Sequence, residues 1–253
     1  MYILGQPASW PFFSCREMRE IAVSDIHGCL KSLRALLFEQ VKLSRQDHLF
    51  LLGDYVDRGP DSKGVLDLIM RMKTDGYRIS PIRGNHDDIF VRLSQNCDPV
   101  EYDNWEIFGG TETLVSFDAF ESGFDGIDRR YIHFMDALPY YAETASHIMV
   151  HAGVATKGDL FGDKMALLWC KDWYERMQDP NLLGGRKVVH GHVPHTRQAI
   201  EDRFRNWDIP VLPIDAGCCY AEKEGMGYLC AYDMTREKLF FQPNLDEISY
   251  MGD

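Results

Sequence analysis

The chain has few basic residues and no long hydrophobic run. Its 253 residues carry 27 Lys and Arg against 39 Asp and Glu, a formal net charge of −12. A surface of that sign repels phosphate backbones and anionic lipid headgroups, so we expect neither nucleic acid nor a membrane among its partners. No apolar segment approaches the roughly 18 to 20 residues that cross a bilayer. The composition therefore excludes a membrane-spanning protein.

Cysteine pairing is also missing. The seven cysteines form no C-x-x-C motif, and an odd number does not suit a disulfide framework. Residues 1–13 hold no Lys or Arg ahead of their apolar stretch, which Pro7 and Pro11 interrupt, so they do not resemble a signal peptide. We therefore expect free thiols in a reducing compartment and a cytoplasmic location.

What the sequence does contain is typical of a globular protein. Hydrophobic residues make up 45% of the chain, and no repeat or Pro/Ser-rich linker divides it, so we predict one domain over residues 1–253. Apolar runs at 21–23 and 49–52 predict two strands, and Tyr77, Ile79 and Ile82 suggest a third that Pro81 partly interrupts. These strands alternate with helical spacing at 30–41 and 65–72. That order predicts parallel strands with crossover helices, an α/β fold.

The pattern changes further along the chain. Residues 103–138 are mainly helical by pattern and rich in aromatic side chains. Short strands are predicted after residue 140, at 148–150, 187–189 and 211–214, followed by a hairpin from 228–232 to 239–241. These strands are too many and too dispersed for a single parallel sheet, and we expect more than one.

Polar residues follow five of the predicted strands, usually beside glycine. Taken singly, each such segment is more often a turn, a helix cap or loop hydrogen bonding than a site. Open α/β sheets, however, place their sites at the carboxyl ends of strands, and here all five segments share that position. The segments are Ser24-Asp25-Ile26-His27-Gly28, Gly53-Asp54-Tyr55-Val56-Asp57-Arg58-Gly59, Arg83-Gly84-Asn85-His86-Asp87-Asp88, His151-Ala152-Gly153 and His190-Gly191-His192.

The donor types in these segments suit divalent cations. Carboxylate oxygens, an amide oxygen and imidazole nitrogens, with no cysteine among them, favour Mn²⁺, with Fe or Zn²⁺ as alternatives. Two cations approach within about 3.5 to 4 Å when a shared anionic ligand lies between them, and an Asp can serve. The sequence therefore predicts two divalent metal ions as cofactors.

The order and the amino-acid sequence of these segments resemble the motifs of the phosphoprotein phosphatase branch of the calcineurin-like metallophosphoesterases. Residues 25–28, 53–59 and 84–87 are similar to its three signature blocks, and residues 151–153 and 191–194 to its later histidine blocks. Residues 105–114, with Gly109-Gly110, also resemble bacterial members near the bacteriophage-type and diadenosine tetraphosphatase-type enzymes. The resemblance implies an α/β fold in which two mixed β-sheets form a sandwich flanked by helices.

The resemblance also implies the metal ligands. Asp54 is expected to bridge the two ions. A water between two divalent cations is acidic enough to become hydroxide near neutral pH and to attack phosphorus in line. The remaining ligands, for the first ion and then for the second, are Asp25 and His27, then Asn85, His151 and His192.

The same positional match implies the residues that act on the phosphate. His86 resembles the general acid at the leaving oxygen, and Asp57 the carboxylate that orients it. Arg58 resembles the clamp on phosphoryl oxygens, a role for a planar and permanently charged fork. Many members carry a second phosphate-binding Arg two residues after a Trp. Here Lys171 follows Trp169 at that spacing, so it is a phosphate-binding candidate, with an ordinary surface lysine as the alternative.

Other positions also depart from the family pattern or lie outside it. Asp87 stands where Glu is commoner, so any supporting role acts over a shorter distance. Pro194 stands where related phosphodiesterases have a second His, which favours the phosphatase branch. His190 and His195 are left without a role, and hydrogen bonding to nearby backbone is the plain alternative for both.

These observations predict a dinuclear-metal-dependent phosphatase that hydrolyses phosphomonoesters, with a phosphorylated protein or a small-molecule phosphate as its substrate partner. A dinucleoside polyphosphate hydrolase is the main alternative. A phosphodiesterase is disfavoured by the missing second histidine. A metal-binding sensor without activity is disfavoured because the ligands, the acid and the clamp are all retained.

Overall fold

A computed structural model describes residues 17–171, 173–177, 180–206 and 209–248. The sequence-based predictions on residues 1–13 and on Cys15 lie outside those ranges. The strands are β1 (Glu20–Val23), β2 (His48–Leu51), β3 (Arg78–Pro81), β4 (Tyr141–Glu143), β5 (His147–Val150), β6 (Lys187–His190), β7 (Val211–Pro213), β8 (Tyr228–Asp233) and β9 (Lys238–Pro243). The α-helices are α1 (Leu30–Arg34), α2 (Ser62–Thr74), α3 (Asn85–Gln95), α4 (Pro99–Trp105), α5 (Thr111–Ser116), α6 (Arg129–Asp136), α7 (Lys164–Trp169) and α8 (Arg197–Arg205).

The strands form two mixed sheets. The first sheet has the order β3-β2-β1-β8-β9, with β1, β2 and β3 parallel and β8 and β9 antiparallel to their neighbours. The second has the order β4-β5-β6-β7, with β4 antiparallel to β5 and the other pairs parallel. Each of the polar segments forms the loop after one strand, namely β1, β2, β3, β5 or β6. The sheet topology therefore decides which of these loops can meet.

Three hydrophobic clusters stabilise the sandwich, one between the two sheets and one on the outer face of each sheet. In β1, Ile21 and Val23 pack against the helices on the outer face of the first sheet, whereas Ala22 faces the second sheet. In β5 the pattern is mirrored, since Met149 faces the first sheet and Val150 packs outward. Strands covered on both faces read as continuous apolar runs, which is how they appear in the sequence. The sandwich flanked by helices is therefore confirmed.

The sequence-based element predictions did not include α3, α7, α8 or β4, and the first helix differs from its prediction in form. β4 was missed, because Tyr141-Ala142-Glu143 is three residues long and largely exposed, so it has neither an apolar run nor a clear alternation. The helix predicted over 30–41 begins at Leu30, but from Ala35 to Gln40 its turns widen into a π-helix. Among the described residues, no helix is both long enough and apolar enough to span a bilayer.

Candidate active site

The loops after β1, β2, β3, β5 and β6 meet across the two sheets. The backbone N–H groups of Ile26 and His27 both donate to the Asp54 carbonyl, at 3.0 and 2.7 Å, which joins the first two loops. The His192 N–H donates to Asp25 Oδ2 at 2.9 Å, which joins the first sheet to the second. Gly191 N–H donates to the His151 carbonyl at 2.9 Å. The polar segments that the sequence singled out thus form one cluster.

The backbone of this cluster is strained. A positive φ is uncommon for a residue with a side chain, and strain of this kind gathers at functional sites. Eight non-glycine residues of the described chain have one, and five of them are residues that the sequence analysis assigned to the site. Those five are His27 (45°), Asp54 (51°), Asp57 (71°), Arg58 (70°) and His192 (68°).

Two glycines are required for the loops to approach so closely. A Cβ on Gly59 would lie 2.0 Å from the His27 carbonyl oxygen, and one on Gly191 would lie 1.9 Å from Asp25 Oδ1. Real Cβ atoms do not tolerate such contacts, so any larger residue would push the loops apart. The glycines beside the polar residues therefore set the spacing of the site.

Asp54 lies at the centre of the cluster. Its Oδ2 is 3.5 Å from His27 Nε2 and 3.5 Å from His151 Nε2. Burial alone would raise its pKa, but the electrostatic interactions of Asp54 with His151, His86, His27 and Arg58 outweigh burial and hold the pKa below its ordinary value. Asp54 is also common to two groups of potential metal donors whose atoms lie within 4.8 Å of one another: His27, Asp54 and His86, and Asp25, Asp54 and His151.

The imidazoles present unprotonated nitrogens to the centre of the site. Nδ1 of His27 and of His151 donate to the carbonyls of Val56 and Leu52, at 2.9 and 2.8 Å. Because a carbonyl only accepts, Nε2 of each ring carries a lone pair. In the orientation that the structure gives Asn85, His151 Nε2 lies 2.7 Å from Asn85 Oδ1, so two acceptors face each other.

The imidazole of His192 is the third ring that faces the centre of the site. His192 Nδ1 lies 3.0 Å from Asn85 Oδ1, and its buried Nε2 has no hydrogen-bond partner among the described residues. Burial lowers the pKa of His192 to about 3, and the nearby charge of Lys171 adds to the effect. Burial likewise lowers the pKa of His27 and of His151. Neutral imidazoles, carboxylates and an amide oxygen facing one another fit divalent cations, which accept from all of them.

Asp215 is an additional carboxylate that the sequence analysis missed, and it lies beside this cluster. Burial, followed by the negative charges of Asp215 and Asp54, raises the pKa of Asp25 well above its ordinary value. Asp215 is itself buried, which raises its pKa to about 6, and its Oδ1 accepts from Gly217 N–H at 2.8 Å. The signal was present in the sequence, since Asp215 follows the strand predicted at 211–214 and is followed by Ala-Gly.

His86 is held by a fully bonded carboxylate. Its Nδ1 donates to Asp57 Oδ2 at 2.7 Å. Trp105 Nε1 lies 3.0 Å from both Asp57 oxygens, and Thr113 Oγ1 donates to Asp57 Oδ1 at 2.8 Å. Trp105 and Thr113 were not predicted as site residues, although both lie in the segment 105–114 that resembled bacterial relatives. With four contacts on its two oxygens, Asp57 fixes the ring of His86 in one orientation.

Asp87 has a supporting role for which its short side chain suffices. Its carboxylate accepts from the backbone N–H of Asp54 at 2.8 Å, of Tyr55 at 2.9 Å and of Gly84 at 2.8 Å. These donors belong to the loops after β2 and β3. Asp87 therefore ties together the two loops that carry Asp54 and Asn85.

Arg58 lies between the donors and His86. Its Nη1 is 2.6 Å from His27 Nε2 and its Nη2 is 2.9 Å from His86 Nε2, and its guanidinium carbon lies 5.4 Å from the centre of the Tyr220 ring. A cleft of about 860 Å³ opens above it. Lys171 is exposed and lines the same cleft.

The two histidines left without a role bond to backbone. His190 is buried, and its Nδ1 donates to the Gly191 carbonyl at 3.0 Å. His195 Nδ1 donates to the Val193 carbonyl at 2.6 Å. Neither is among the residues that line the cleft.

This fold and this set of donors define a metal-dependent phosphoesterase. The chain belongs to the calcineurin-like phosphoesterases, since the family model matches residues 18–243. Members of that family depend on two metal ions, and the described residues include candidate ligand groups for them. The resemblance drawn from the sequence is thereby confirmed.

Two relatives are both named bis(5'-nucleosyl)-tetraphosphatase, one symmetrical and the other asymmetrical. Bis(5'-nucleosyl)-tetraphosphatase, symmetrical, of Buchnera aphidicola subsp. Acyrthosiphon pisum is 28% identical over 203 residues, covering 79% of this chain and 67% of the relative. Bis(5'-nucleosyl)-tetraphosphatase PrpE, asymmetrical, of Oceanobacillus iheyensis is 27% identical over 228 residues, covering 79% of this chain and 84% of the relative.

A solved structure extends the likeness in fold. A protein serine/threonine phosphatase from Saccharomyces cerevisiae superposes with a TM-score of 0.59 and 14% identity, covering 93% of this chain and 82% of that one. At that identity the likeness concerns the fold alone. The activity class rests instead on the family match, by which the chain is a phosphoric ester hydrolase.

Proposed function

We propose that this protein is a dinuclear-metal-dependent hydrolase of dinucleoside polyphosphates. The observation that carries the proposal is the position of Arg58, whose guanidinium reaches His27 Nε2 at 2.6 Å on one side and His86 Nε2 at 2.9 Å on the other. A cation for phosphoryl oxygens, donors for metal ions and a candidate acid thus surround one point. That constellation is what phosphoryl transfer to water requires.

The proposed metal ligands are those that the sequence predicted. Asp54 lies between the imidazoles of His27 and His151, which supports its role as the bridge. Two divalent cations, when bound, neutralise charge on the phosphoryl oxygens and acidify the attacking water. The other proposed ligands are Asp25 and His27 on one side, and Asn85, His151 and His192 on the other. Mn²⁺ is the metal we propose for both positions.

His86 and Arg58 act on the substrate in this proposal. Asp57 accepts from His86 Nδ1, which fixes the ring so that Nε2 faces the place proposed for the leaving oxygen. Arg58 donates to the phosphoryl oxygens as negative charge develops on them. Lys171 lines the same cleft and is proposed to bind a second phosphate as a point charge.

Two observations favour a dinucleoside polyphosphate over a phosphorylated protein. Both relatives described above are named bis(5'-nucleosyl)-tetraphosphatases. The cleft of about 860 Å³ is also far larger than one phosphate needs. A phosphomonoester, the substrate that the sequence analysis put first, would engage the same residues and is the competing candidate. We further propose that the enzyme acts in the cytoplasm.

A substrate panel with purified, Mn²⁺-loaded protein tests the proposal. We expect bis(5'-adenosyl) tetraphosphate to be hydrolysed with a kcat/KM at least about tenfold above that of a phosphoserine peptide, a mononucleotide or a bis-aryl phosphate. Anion-exchange analysis of the products distinguishes symmetrical from asymmetrical cleavage. A preference for the phosphopeptide would overturn the substrate assignment, and a preference for the bis-aryl phosphate would indicate a phosphodiesterase.

A further inference from the structure

The cleft extends well beyond the polar site at its floor. Its volume of about 860 Å³ is in the range of pockets that hold whole small-molecule ligands. Asp54, Asn85 and His86 line the floor, whereas Phe108 and Trp169 line the walls. The polar floor suffices for a phosphate, so the aromatic walls are available to another part of the substrate.

Trp169 provides one wall. It is the last residue of α7, it is 37% exposed, and it lines the cleft. The centre of its ring lies 6.1 Å from that of His192, with the two rings nearly perpendicular at 84°. The indole therefore borders the donors directly. Lys171 follows two residues later and lines the same cleft, so a cation and an aromatic surface lie side by side.

Phe108 provides a second wall. It is 55% exposed, lies in the wide π-helical turn Glu106–Gly110, and lines the cleft. The next residue, Gly109, accepts a hydrogen bond from Arg58 N–H at 3.1 Å, and a Cβ there would lie 2.4 Å from the Arg58 nitrogen. This contact fixes the turn against Arg58. Phe108 is therefore positioned by the same loop that carries the proposed phosphate clamp.

From this arrangement we infer that Trp169 and Phe108 form an aromatic subsite for the base of a nucleoside polyphosphate, with Arg58 and Lys171 binding its phosphates. A purine or pyrimidine stacks on aromatic faces whatever its hydrogen-bonding pattern, so such a subsite recognises a base without selecting one. The inference rests on the proposed function, because it names how that site would recognise the nucleoside part of its substrate.

The test compares two substrates that differ in the base. Bis(5'-adenosyl) tetraphosphate carries nucleosides, and inorganic tetraphosphate offers a phosphate chain without them. In Mn²⁺-loaded protein, Trp169→Ala should lower kcat/KM on the nucleotide about tenfold, the typical effect of losing one stacking contact, and leave kcat/KM on inorganic tetraphosphate within about twofold. Trp169→Phe should retain most of the nucleotide activity, because a benzene ring still stacks.

Two neighbouring side chains provide matched controls. Met165 lies on the same helix as Trp169 and is 63% exposed, and Ile107 precedes Phe108 and is 79% exposed. Neither lines the cleft. Met165→Ala and Ile107→Ala should leave both activities unchanged, whereas Phe108→Ala should show the same selective loss as Trp169→Ala. Calorimetric titration with a methylene-bridged nucleotide analogue should show the loss as weaker binding.

The outcomes separate the subsite from the proposed function. If the wild-type protein hydrolyses the nucleotide but Trp169→Ala and Phe108→Ala lose activity equally on both substrates, or lose none, the aromatic subsite is wrong and the proposed function stands. If the wild-type protein hydrolyses phosphopeptides in preference to the nucleotide, the proposed function fails, and the subsite fails with it. A selective loss on the nucleotide, absent in the controls, supports both.

Discussion

Two clusters of buried charge lie at opposite ends of β1, and they are built in opposite ways. At its start, Arg19 donates from Nε and Nη2 to the two oxygens of Asp47, at 3.0 and 2.7 Å, and its Nη1 lies 3.6 Å from Asp233 Oδ2. Although burial opposes ionisation, the hydrogen bonds from Arg19 and Ser44 outweigh it and lower the pKa of Asp47 to about 2. Charge in this cluster is compensated within the chain.

At the other end of β1 only part of the buried charge is compensated within the chain. Burial raises the pKa of Asp25 well above its ordinary value and that of Asp215 to about 6, even though the charge of Arg58 opposes both shifts. The neighbouring imidazoles are pushed the other way, and burial lowers the pKa of His192 to about 3. The cluster thus holds acceptors and anions in excess of donors.

The difference shows how structural and functional charge can be distinguished. A buried ion pair is tolerated when its own partners satisfy it, whereas an unmatched buried charge costs several kcal/mol unless another group neutralises it. The Arg19 cluster is satisfied by the chain alone. The site cluster needs positive charge from outside the chain, which two divalent cations would supply. The predictions below test that distinction.

The largest effect is expected at the residue shared by the two donor groups. Asp54→Asn should lower kcat/KM on the order of 10³ to 10⁴, because bound cations contribute several kcal/mol of charge stabilisation in the transition state. Elemental analysis of the same sample should find less than two equivalents of metal. Asp103→Asn removes an exposed carboxylate from α4 and should change neither quantity. Two full equivalents of metal in Asp54→Asn would show that Asp54 is not the bridge.

His86→Asn tests the proposed acid. It should lower kcat by roughly 10³ on substrates with poor leaving groups, within the usual range for proton-transfer catalysis. The loss should be smaller on an activated aryl phosphate, whose leaving group needs little protonation. His195→Asn serves as the control, because among the described residues that ring bonds to the Val193 carbonyl alone and does not line the cleft. Equal losses on both kinds of substrate would argue against His86 as the acid.

The parts of the fold and site that could be predicted from sequence are those set by local pattern. Buried strands such as Ile21–Val23 are apolar on both faces, and each of the polar segments after them contains glycine. Parallel strands then bring their ends together, so the convergence of Asp25, Asp54 and Asn85 follows from the order of elements.

The parts that could not be predicted depend on contacts between distant segments. Trp105 and Thr113 reach Asp57 across about 50 positions of the chain, at separations of 48 and 56 residues, and no local pattern encodes that contact. The Arg19 cluster joins β1 to Asp47 and Asp233 in the same way. β4 is an edge strand whose existence depends on pairing with β5 rather than on its own sequence.

The Arg19 cluster is tested by measuring the stability of the protein rather than its activity. Asp47→Asn should lower the free energy of unfolding by about 3 kcal/mol at pH 7, because it leaves the buried Arg19 guanidinium without its main partner. The pKa of Asp47 in the folded protein is about 2 against an ordinary 3.8, so its contribution is full above pH 3.8 and disappears as the pH falls toward 2. Urea unfolding curves at several pH values measure both effects. If Asp47→Asn left the free energy of unfolding unchanged, the Arg19 cluster would not be stabilised by its own ion pair, and the contrast with the site cluster would fail.

Arg58→Ala tests the cation that the chain itself contributes to the site. It should lower kcat/KM on a phosphomonoester or phosphoanhydride by about 10², typical of losing one stabiliser of transition-state charge, and by much less on a diester. Arg92→Ala is a matched control, because Arg92 lines the same cleft but is paired with Asp88 and Glu101. Similar losses on monoester and diester would contradict the clamp.

The smallest effect is expected at Asp215, and its sign is opposite to that at Asp47. The pKa of Asp215 is about 6 in the folded protein against an ordinary 3.8, so in chelator-treated protein the folded state gains stability from it below pH 3.8 and loses that gain as the pH rises to 6. Asp215→Asn keeps an oxygen for Gly217 N–H but removes the uncompensated charge. At pH 7 it should therefore raise the melting temperature of the metal-free protein by about 3 °C, equivalent to about 1 kcal/mol. Thermal unfolding at pH 4 and pH 7 measures the change. A lower melting temperature at pH 7, as expected for Asp47→Asn, would show that both clusters are built alike.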